Sequence, residues 1–264
     1  MGQGQETQAQ RTQFQGTRRV LVTGGGRGLG AAIVRALAAA GHDVTFTYRL
    51  SGDAANAAVK ALAADFPEQK FAALPIDLAD RDAVAAFTQD IDDGRYDGFV
   101  HNAGHTYDAL AMMMDQAKAE VAMQVNYWSF TRIVGALMRP MMRARSGRVA
   151  VIGSITALQA NQGNAAYAAS KAALLAYVRT LAIEVARNGV TVNYVAPGFI
   201  DTEMMAPYAK YREQMESQIP SRRFAAADEI AAVTAFLMSP GASYLTGAVL
   251  PVDGGLSAAI GVHR

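Results

Sequence analysis

The chain has 264 residues, 51% of them hydrophobic and 18% charged, with a formal net charge of +1 and no cysteine. That length suffices for a sizeable core in one α/β domain, and the composition excludes disulfides, thiolate metal sites, cysteine nucleophiles and the basic surface of a nucleic-acid binder. The four histidines, His42, His101, His105 and His263, offer no third ligand for a metal, and there is no run of about 18 apolar residues to suggest a membrane span.

Residues 1–18 are rich in Gln, Gly and Thr and lack an apolar signal-peptide core, so they read as a disordered tail on a soluble, cytoplasmic protein. From Arg19 onward, apolar strand-like runs alternate with helical patterns. Val20–Val22 is the first strand, and Ala31–Ala40 the first helix, closed by Gly41. Val44–Tyr48 is the second strand, followed by an Ala-rich helix through about Ala64. Phe71–Leu74 and Gly98–His101 are further strands, each followed by a helix, Asp80–Ile91 and a long one from Met114 to Arg143. Arg148–Ile152, the helix Ala165–Arg187, Thr191–Val195, the helix Asp228–Met238 and Ala248–Val252 complete the pattern. Such alternation demands parallel pairing with helices on both faces. The expected fold is therefore α/β, a single doubly wound Rossmann-type domain over residues 19–264 with about seven parallel strands. The segment 199–223 breaks the rhythm with Met204, Met205, Tyr208, Tyr211 and Met215 among charges. It reads as a lid over a substrate cleft or as an amphipathic surface helix. Its place after a strand's C-terminal end favours the lid, because ligands bind there in such sheets.

Thr23-Gly24-Gly25-Gly26-Arg27-Gly28-Leu29-Gly30 follows the first strand and opens the first helix. Glycines there allow a tight turn and close approach of a pyrophosphate, and the helix start supplies free N–H groups and a positive dipole. A free ribose 2′-hydroxyl would call for a carboxylate about 20 residues on. Those positions hold Thr47, Tyr48 and Arg49 instead. With Arg27, Arg49 suits a 2′-phosphate, so NADP(H) is the expected cofactor. Asp77-Leu78 after the third strand would serve the adenine, and Asn102-Ala103-Gly104 after the fourth would let the chain pass the cofactor closely, although each also fits an ordinary turn.

Tyr167 and Lys171 stand four residues apart on one helix face, and Ser154 precedes the tyrosine at a strand end. An ammonium beside a phenol is expected to lower the tyrosine's pKa toward neutrality, and the serine hydroxyl would hold a substrate oxygen. Taken alone, the pair reads more readily as a surface tyrosine and a solvated lysine, and the rest of the chain reverses that.

Together these motifs resemble the short-chain dehydrogenase/reductase family over Arg19–Gly255, with the 3-oxoacyl-[acyl-carrier-protein] and acetoacetyl-CoA reductases as the nearest type. The resemblance rests on TGGGRGLG, His101-Asn102-Ala103-Gly104, Ser154, Tyr167, Lys171, the Pro197-Gly198 turn and the Val252-Asp253-Gly254-Gly255 stretch. It implies NADPH-dependent reduction of a ketone, most naturally a 3-oxoacyl thioester on acyl carrier protein or coenzyme A. A sugar, steroid or small alicyclic alcohol is the alternative substrate. It assigns Tyr167 as general acid, Lys171 to the nicotinamide ribose and Asn126 to a water that reprotonates Lys171. It places Pro197, Gly198, Ile200 and Thr202 at the nicotinamide end, and it implies a homotetramer. This chain departs from the family's usual Asn-Asn-Ala-Gly by beginning with His101. Arg145 falls at one carrier-docking position, while Asn188, beside Arg187, falls at the other.

Overall fold

The computed structural model describes residues 18–92 and 96–259. Seven strands form one parallel sheet in the order β3-β2-β1-β4-β5-β6-β7. They are β1 (Arg19–Thr23), β2 (Asp43–Tyr48), β3 (Phe71–Pro75), β4 (Gly98–His101), β5 (Gly147–Ile152), β6 (Val190–Pro197) and β7 (Val249–Val252). The helices are α1 (Gly28–Ala39), α2 (Gly52–Asp65), α3 (Arg81–Asp92), α4 (Gln116–Met123), α5 (Ser129–Ala144), α6 (Ala165–Val185), α7 (Arg212–Gln218) and α8 (Ala227–Met238). No α-helix among the described residues is long and apolar enough to cross a membrane.

The strands read as continuous apolar runs because both faces of the sheet are covered. Alternate side chains then separate into two cores. Leu21, Phe99, Val149, Val151 and Val192 join one core with Phe130, Leu137, Leu174 and Val178 from α5 and α6. Val20, Val22, Phe46, Val100 and Val195 join the other with Ile33, Leu37, Ile230 and Leu237 from α1 and α8. β1 pairs with β2 on one side and β4 on the other. The chain thus reverses its winding at β1/β4, and the loops leaving these two strands diverge at their C-terminal ends, where such sheets bind ligands.

The predicted strands and helices are present, with boundaries moved by a few residues, and two segments differ in kind. The single helix expected over Met114–Arg143 is three pieces: α4, a π-helical turn Gln124–Trp128, and α5. The extra residue of a π turn shifts the ladder, and such turns cluster at functional sites. Residues 203–218 form a 3₁₀ segment, Glu203–Tyr211, with Pro207 inside it, continuing into α7. The expected tail falls on residues 1–17, outside the described residues, as does His263. Arg18, assigned to that tail from sequence, is buried at the foot of β1, beside the buried His42 whose ring Nδ1 accepts its N–H.

Candidate active site

The glycine loop leaves β1 at Thr23 and turns on Gly24, whose φ of +69° lies in the left-handed region that suits glycine. A Cβ on Gly30 would fall 1.9 Å from the Gly24 carbonyl oxygen, so the start of α1 packs on the loop only without a side chain there. Asn102 fastens this turn by donating from its amide to the carbonyls of Thr23 (3.2 Å) and Gly24 (3.0 Å). The Thr23 hydroxyl accepts from the backbone of Asn102 and Ala103. These residues therefore shape the cradle. Leu29 turns its side chain into the α1–α8 core, leaving only its backbone to the cradle. Thr47, read from sequence only as a position lacking a carboxylate, accepts the Gly24 N–H at 3.1 Å. Arg27 stands at the N-cap of α1 without a side-chain bond to the helix start, so no side chain at that position occupies the first N–H groups, which suits an anion site.

Tyr48 ends β2 and the exposed Arg49 follows it; Arg27 is also exposed, pairing with Glu203 at 3.3 Å. Asp77 is exposed and accepts the Ala79 N–H, whereas Leu78 is buried and its carbonyl accepts from Gln124 in the π turn. Thr202 lies across from the loop: a Cβ on Gly28 would sit 3.9 Å from it. Gly198 donates its N–H to Val252, and Ile200 bridges to Ala225, tying the start of residues 199–223 to the end of β7 and the entry to α8.

Ser154, Tyr167 and Lys171 come together at the ends of β5 and α6. Ser154 caps the 3₁₀ turn Ile155–Ala157, and its hydroxyl accepts from both the N–H (3.1 Å) and the hydroxyl (2.9 Å) of Thr156. With those lone pairs occupied, the Ser154 hydrogen is left to point at its other partner, the Tyr167 phenol. Thr156 carried no signal in the sequence, since a hydroxyl two residues past a strand end is common. Lys171 is buried, donates to the Ile152 carbonyl at 3.0 Å and holds its ammonium 5.7 Å from the centre of the Tyr167 ring.

The electrostatics correct one expectation. Tyr167 is not acidified: burial pushes its pKa up to about 12, the Ser154 bond opposes this, and Asp108 adds to it. Burial also pushes Lys171 down to about 8. Removal from water penalises both charged forms, and at this separation the ammonium does not outweigh it. Asp108 accepts from Asn164, which begins α6, and from Tyr208 in the 3₁₀ segment. Tyr208 rises to about 12 through that bond first and burial second. Nothing in the sequence marked Asp108, because its two partners lie 56 and 100 residues away. A cavity of about 250 Å³ lies under the 3₁₀ segment, bordered by Thr202, Met205, Tyr208 and Arg212. Ser154, Tyr167 and Lys171 do not line it.

Asn126 sits in the π turn. Both of its amide hydrogens are engaged, on the His105 carbonyl (3.0 Å) and the Ser170 hydroxyl (2.8 Å), and its amide oxygen accepts the His105 N–H. It braces the loop beside Lys171: a Cβ on Gly104 would lie 3.6 Å from both the Asn126 oxygen and the Lys171 nitrogen. The contacts formed by its side chain also brace the His105 segment against Ser170 of α6.

His101 fills the departure position and is fully buried. Its Nε2 faces the Asn126 carbonyl at 3.2 Å and its Nδ1 the Thr23 hydroxyl at 3.1 Å. A carbonyl only accepts, so Nε2 carries the hydrogen and Nδ1 accepts. Burial first, and the Lys171 charge second, push its pKa down to about 3. The folded protein therefore binds one proton fewer than the unfolded chain between pH about 6.5 and about 3, and stability falls as pH drops through that window, by up to about 1.4 kcal/mol per pH unit. His101→Asn is expected to lower the pH midpoint of acid unfolding, measured by circular dichroism. An unchanged midpoint would remove His101 as the acid-sensitive group.

Among the described residues no group of three His, Asp or Glu side chains could hold a metal ion. The family model described as enoyl-(acyl carrier protein) reductase matches residues 24–257. The 3-oxoacyl-[acyl-carrier-protein] reductase FabG of Salmonella typhimurium is 38% identical over 89% of this chain and 96% of its own. The reductase MabA of Mycobacterium bovis, of the same description, is 40% identical over 91% and 93%. A solved structure from Beutenbergia cavernae, described as a candidate NAD(P)-dependent gluconate 5-dehydrogenase with NADP at low occupancy, superposes with a TM-score of 0.87. It is 32% identical and covers 92% of this chain and 97% of that one. With its parallel sheet, glycine cradle and Ser–Tyr–Lys grouping, the chain belongs to the short-chain dehydrogenase/reductase family, as an oxidoreductase acting on the CH–OH/C=O pair.

Proposed function

We propose that the protein reduces a 3-oxoacyl thioester, carried on acyl carrier protein or coenzyme A, to the 3-hydroxyacyl form with NADPH. The observation that carries this reading is the grouping of Ser154, Tyr167 and Lys171, with the serine hydroxyl a hydrogen-bond partner of the phenol and the Lys171 ammonium 5.7 Å from its ring centre. The curated relatives named 3-oxoacyl reductases support the substrate class.

The cradle fits a dinucleotide. Gly24 and Gly30 let the loop pack closely on Ala103 and on the start of α1, whose end carries no side-chain cap where a pyrophosphate would bind. Tyr48, Arg49 and Arg27 are assigned to the adenosine ribose and its 2′-phosphate, and Asp77 and Leu78 to the adenine. Asn102, Ala103 and Gly104 would flank the cofactor on the β4 side, with Lys171, Pro197, Gly198, Ile200 and Thr202 at the nicotinamide end. Bound there, the reduced nicotinamide supplies the hydride. Tyr167 gives its proton to the ketone oxygen, and its high pKa keeps that proton in place at neutral pH until the oxygen becomes basic. Ser154 donates a hydrogen bond to the same oxygen as negative charge develops. Lys171 then stabilises the phenolate left behind. Residues 199–223 serve as the lid, latched through Tyr208 to Asp108. The reading includes a homotetramer in the cytoplasm, joined through the exposed Val121, Trp128 and Ile183 on the helices that flank the site.

A panel of acetoacetyl-CoA, acyl-carrier-bound 3-oxoacyl chains and free ketones, followed by loss of reduced-nicotinamide absorbance, tests this. The likeness to the candidate gluconate dehydrogenase favours a polyol as the second reading. Turnover of a sugar alcohol with NADP and none of the thioesters would establish it. Arg49→Ala is expected to cut the preference for NADPH over NADH about tenfold or more, the scale of one or two charge-assisted bonds. An unchanged ratio of kcat/KM values takes Arg49 away from the 2′-phosphate.

A further inference from the structure

The Tyr194 ring crosses beneath the end of β5 at Gly153, where a Cβ would fall 1.8 Å from its Cζ. Tyr194 is fully buried on β6, next to Val151 of β5. Its hydroxyl accepts the Ser154 N–H at 3.1 Å and donates to the Lys171 carbonyl at 3.2 Å, with the Ser154 carbonyl at 3.5 Å as a second acceptor. One phenol thus joins the backbones of two members of the proposed catalytic set from below.

An ordinary core tyrosine would also find partners for its hydroxyl. Three features go beyond that. The residues on either side that share its face of β6, Val192 and Ala196, are aliphatic, and an aliphatic side chain would fill the same core without a polar group to satisfy. The chain has given up a side chain at Gly153 to let the ring through. Both hydrogen-bond partners belong to residues whose side chains meet at Tyr167. Ser154 is extended, at φ −164° and ψ 154°, just where the strand gives way to a 3₁₀ turn. Its N–H has left the sheet ladder, so the Tyr194 hydroxyl is what fixes the height of that peptide against α6. Burial holds the Tyr194 pKa above its ordinary value, so the hydroxyl keeps the proton it donates.

We propose that Tyr194 is a positioning residue, which by tying the Ser154 N–H to the Lys171 carbonyl sets the distance between the Ser154 hydroxyl and the Tyr167 phenol. The inference rests on the ketoreductase reading. Tyr194→Phe removes only the hydroxyl and leaves the ring over Gly153, so folding is preserved. The variant is made in the wild type and in a Ser154→Ala background, with kcat and KM measured on the best ketone of the panel, Kd for NADPH by fluorescence, and Tm. The expected result in the wild type is a fall in kcat of about tenfold or more, since small misplacements of a catalytic group cost that much, with Kd for NADPH unchanged. In the Ser154→Ala background the same change is expected to lower kcat no further, because residues that act through one another are not additive. An unchanged kcat, or the same fractional loss in both backgrounds, overturns the proposal. If the wild-type protein reduces no ketone with NADPH, the ketoreductase reading itself falls and the positioning role falls with it, a result visible before any variant is made.

Discussion

Replacing Tyr167 by phenylalanine is expected to lower kcat for ketone reduction about a thousandfold, within the range of a lost general acid. The change removes one hydroxyl and keeps the ring, so the glycine cradle, Lys171 and the packing of α6 remain. NADPH affinity is therefore expected to stay within about twofold of wild type, the pattern of an interaction made only in the transition state. In the native protein burial holds the phenol near pKa 12, and the Ser154 hydrogen bond pulls the other way. The group is thus a reluctant acid, kept protonated until an alkoxide forms beside it. Phenylalanine offers no proton at all, and the aliphatic hydroxyl of Ser154 is too weak an acid to replace a phenol. Steady-state kinetics with a fluorescence titration of NADPH measures both halves of the expectation. A variant that retains near-wild-type kcat would show that the proton comes from elsewhere.

Lys171→Ala is expected to act on both binding and rate: Kd for NADPH up about tenfold and kcat down about a hundredfold or more. The ammonium is buried, bonded to the Ile152 carbonyl at the end of β5, and set 5.7 Å from the Tyr167 ring centre. Without it the phenolate formed after proton transfer loses its neighbouring charge, and the nicotinamide ribose loses its proposed donor. Stability should change less than activity. Burial already presses this lysine to a pKa of about 8, so deleting the charge relieves desolvation even as it leaves a small cavity. Unchanged cofactor affinity by titration would remove Lys171 from the ribose. A Tm loss as severe as the activity loss would make it a structural residue.

The existence and order of β1 and α1, the glycine turn between them and the i,i+4 placement of Tyr167 and Lys171 were legible in the chain alone. Each depends on neighbours within one turn or one strand, where periodicity and backbone freedom speak directly. The parallel order was legible for the same reason: strands that alternate with helices leave few other connections. The π turn at Asn126 was not, because its pattern differs from that of an α-helix by one residue. The sign of the Tyr167 shift was not, because it depends on how much water the folded protein removes and on Asp108, which is held by Asn164 and Tyr208 from distant segments. His101 could be seen from the sequence only as a departure from a familiar motif; its role as a neutral bridge from Thr23 to Asn126 depends on two elements closing around it. The sequence by itself therefore determined the fold class, the glycine turn and the spacing of Tyr167 and Lys171, all encoded in local pattern. Only the tertiary structure decided the electrostatic balance of those groups and the partners their surroundings supply, Thr156 and Tyr194 to Ser154 and Asp108 near Tyr167 among them. Desolvation and hydrogen-bond partnership are properties of the packed chain.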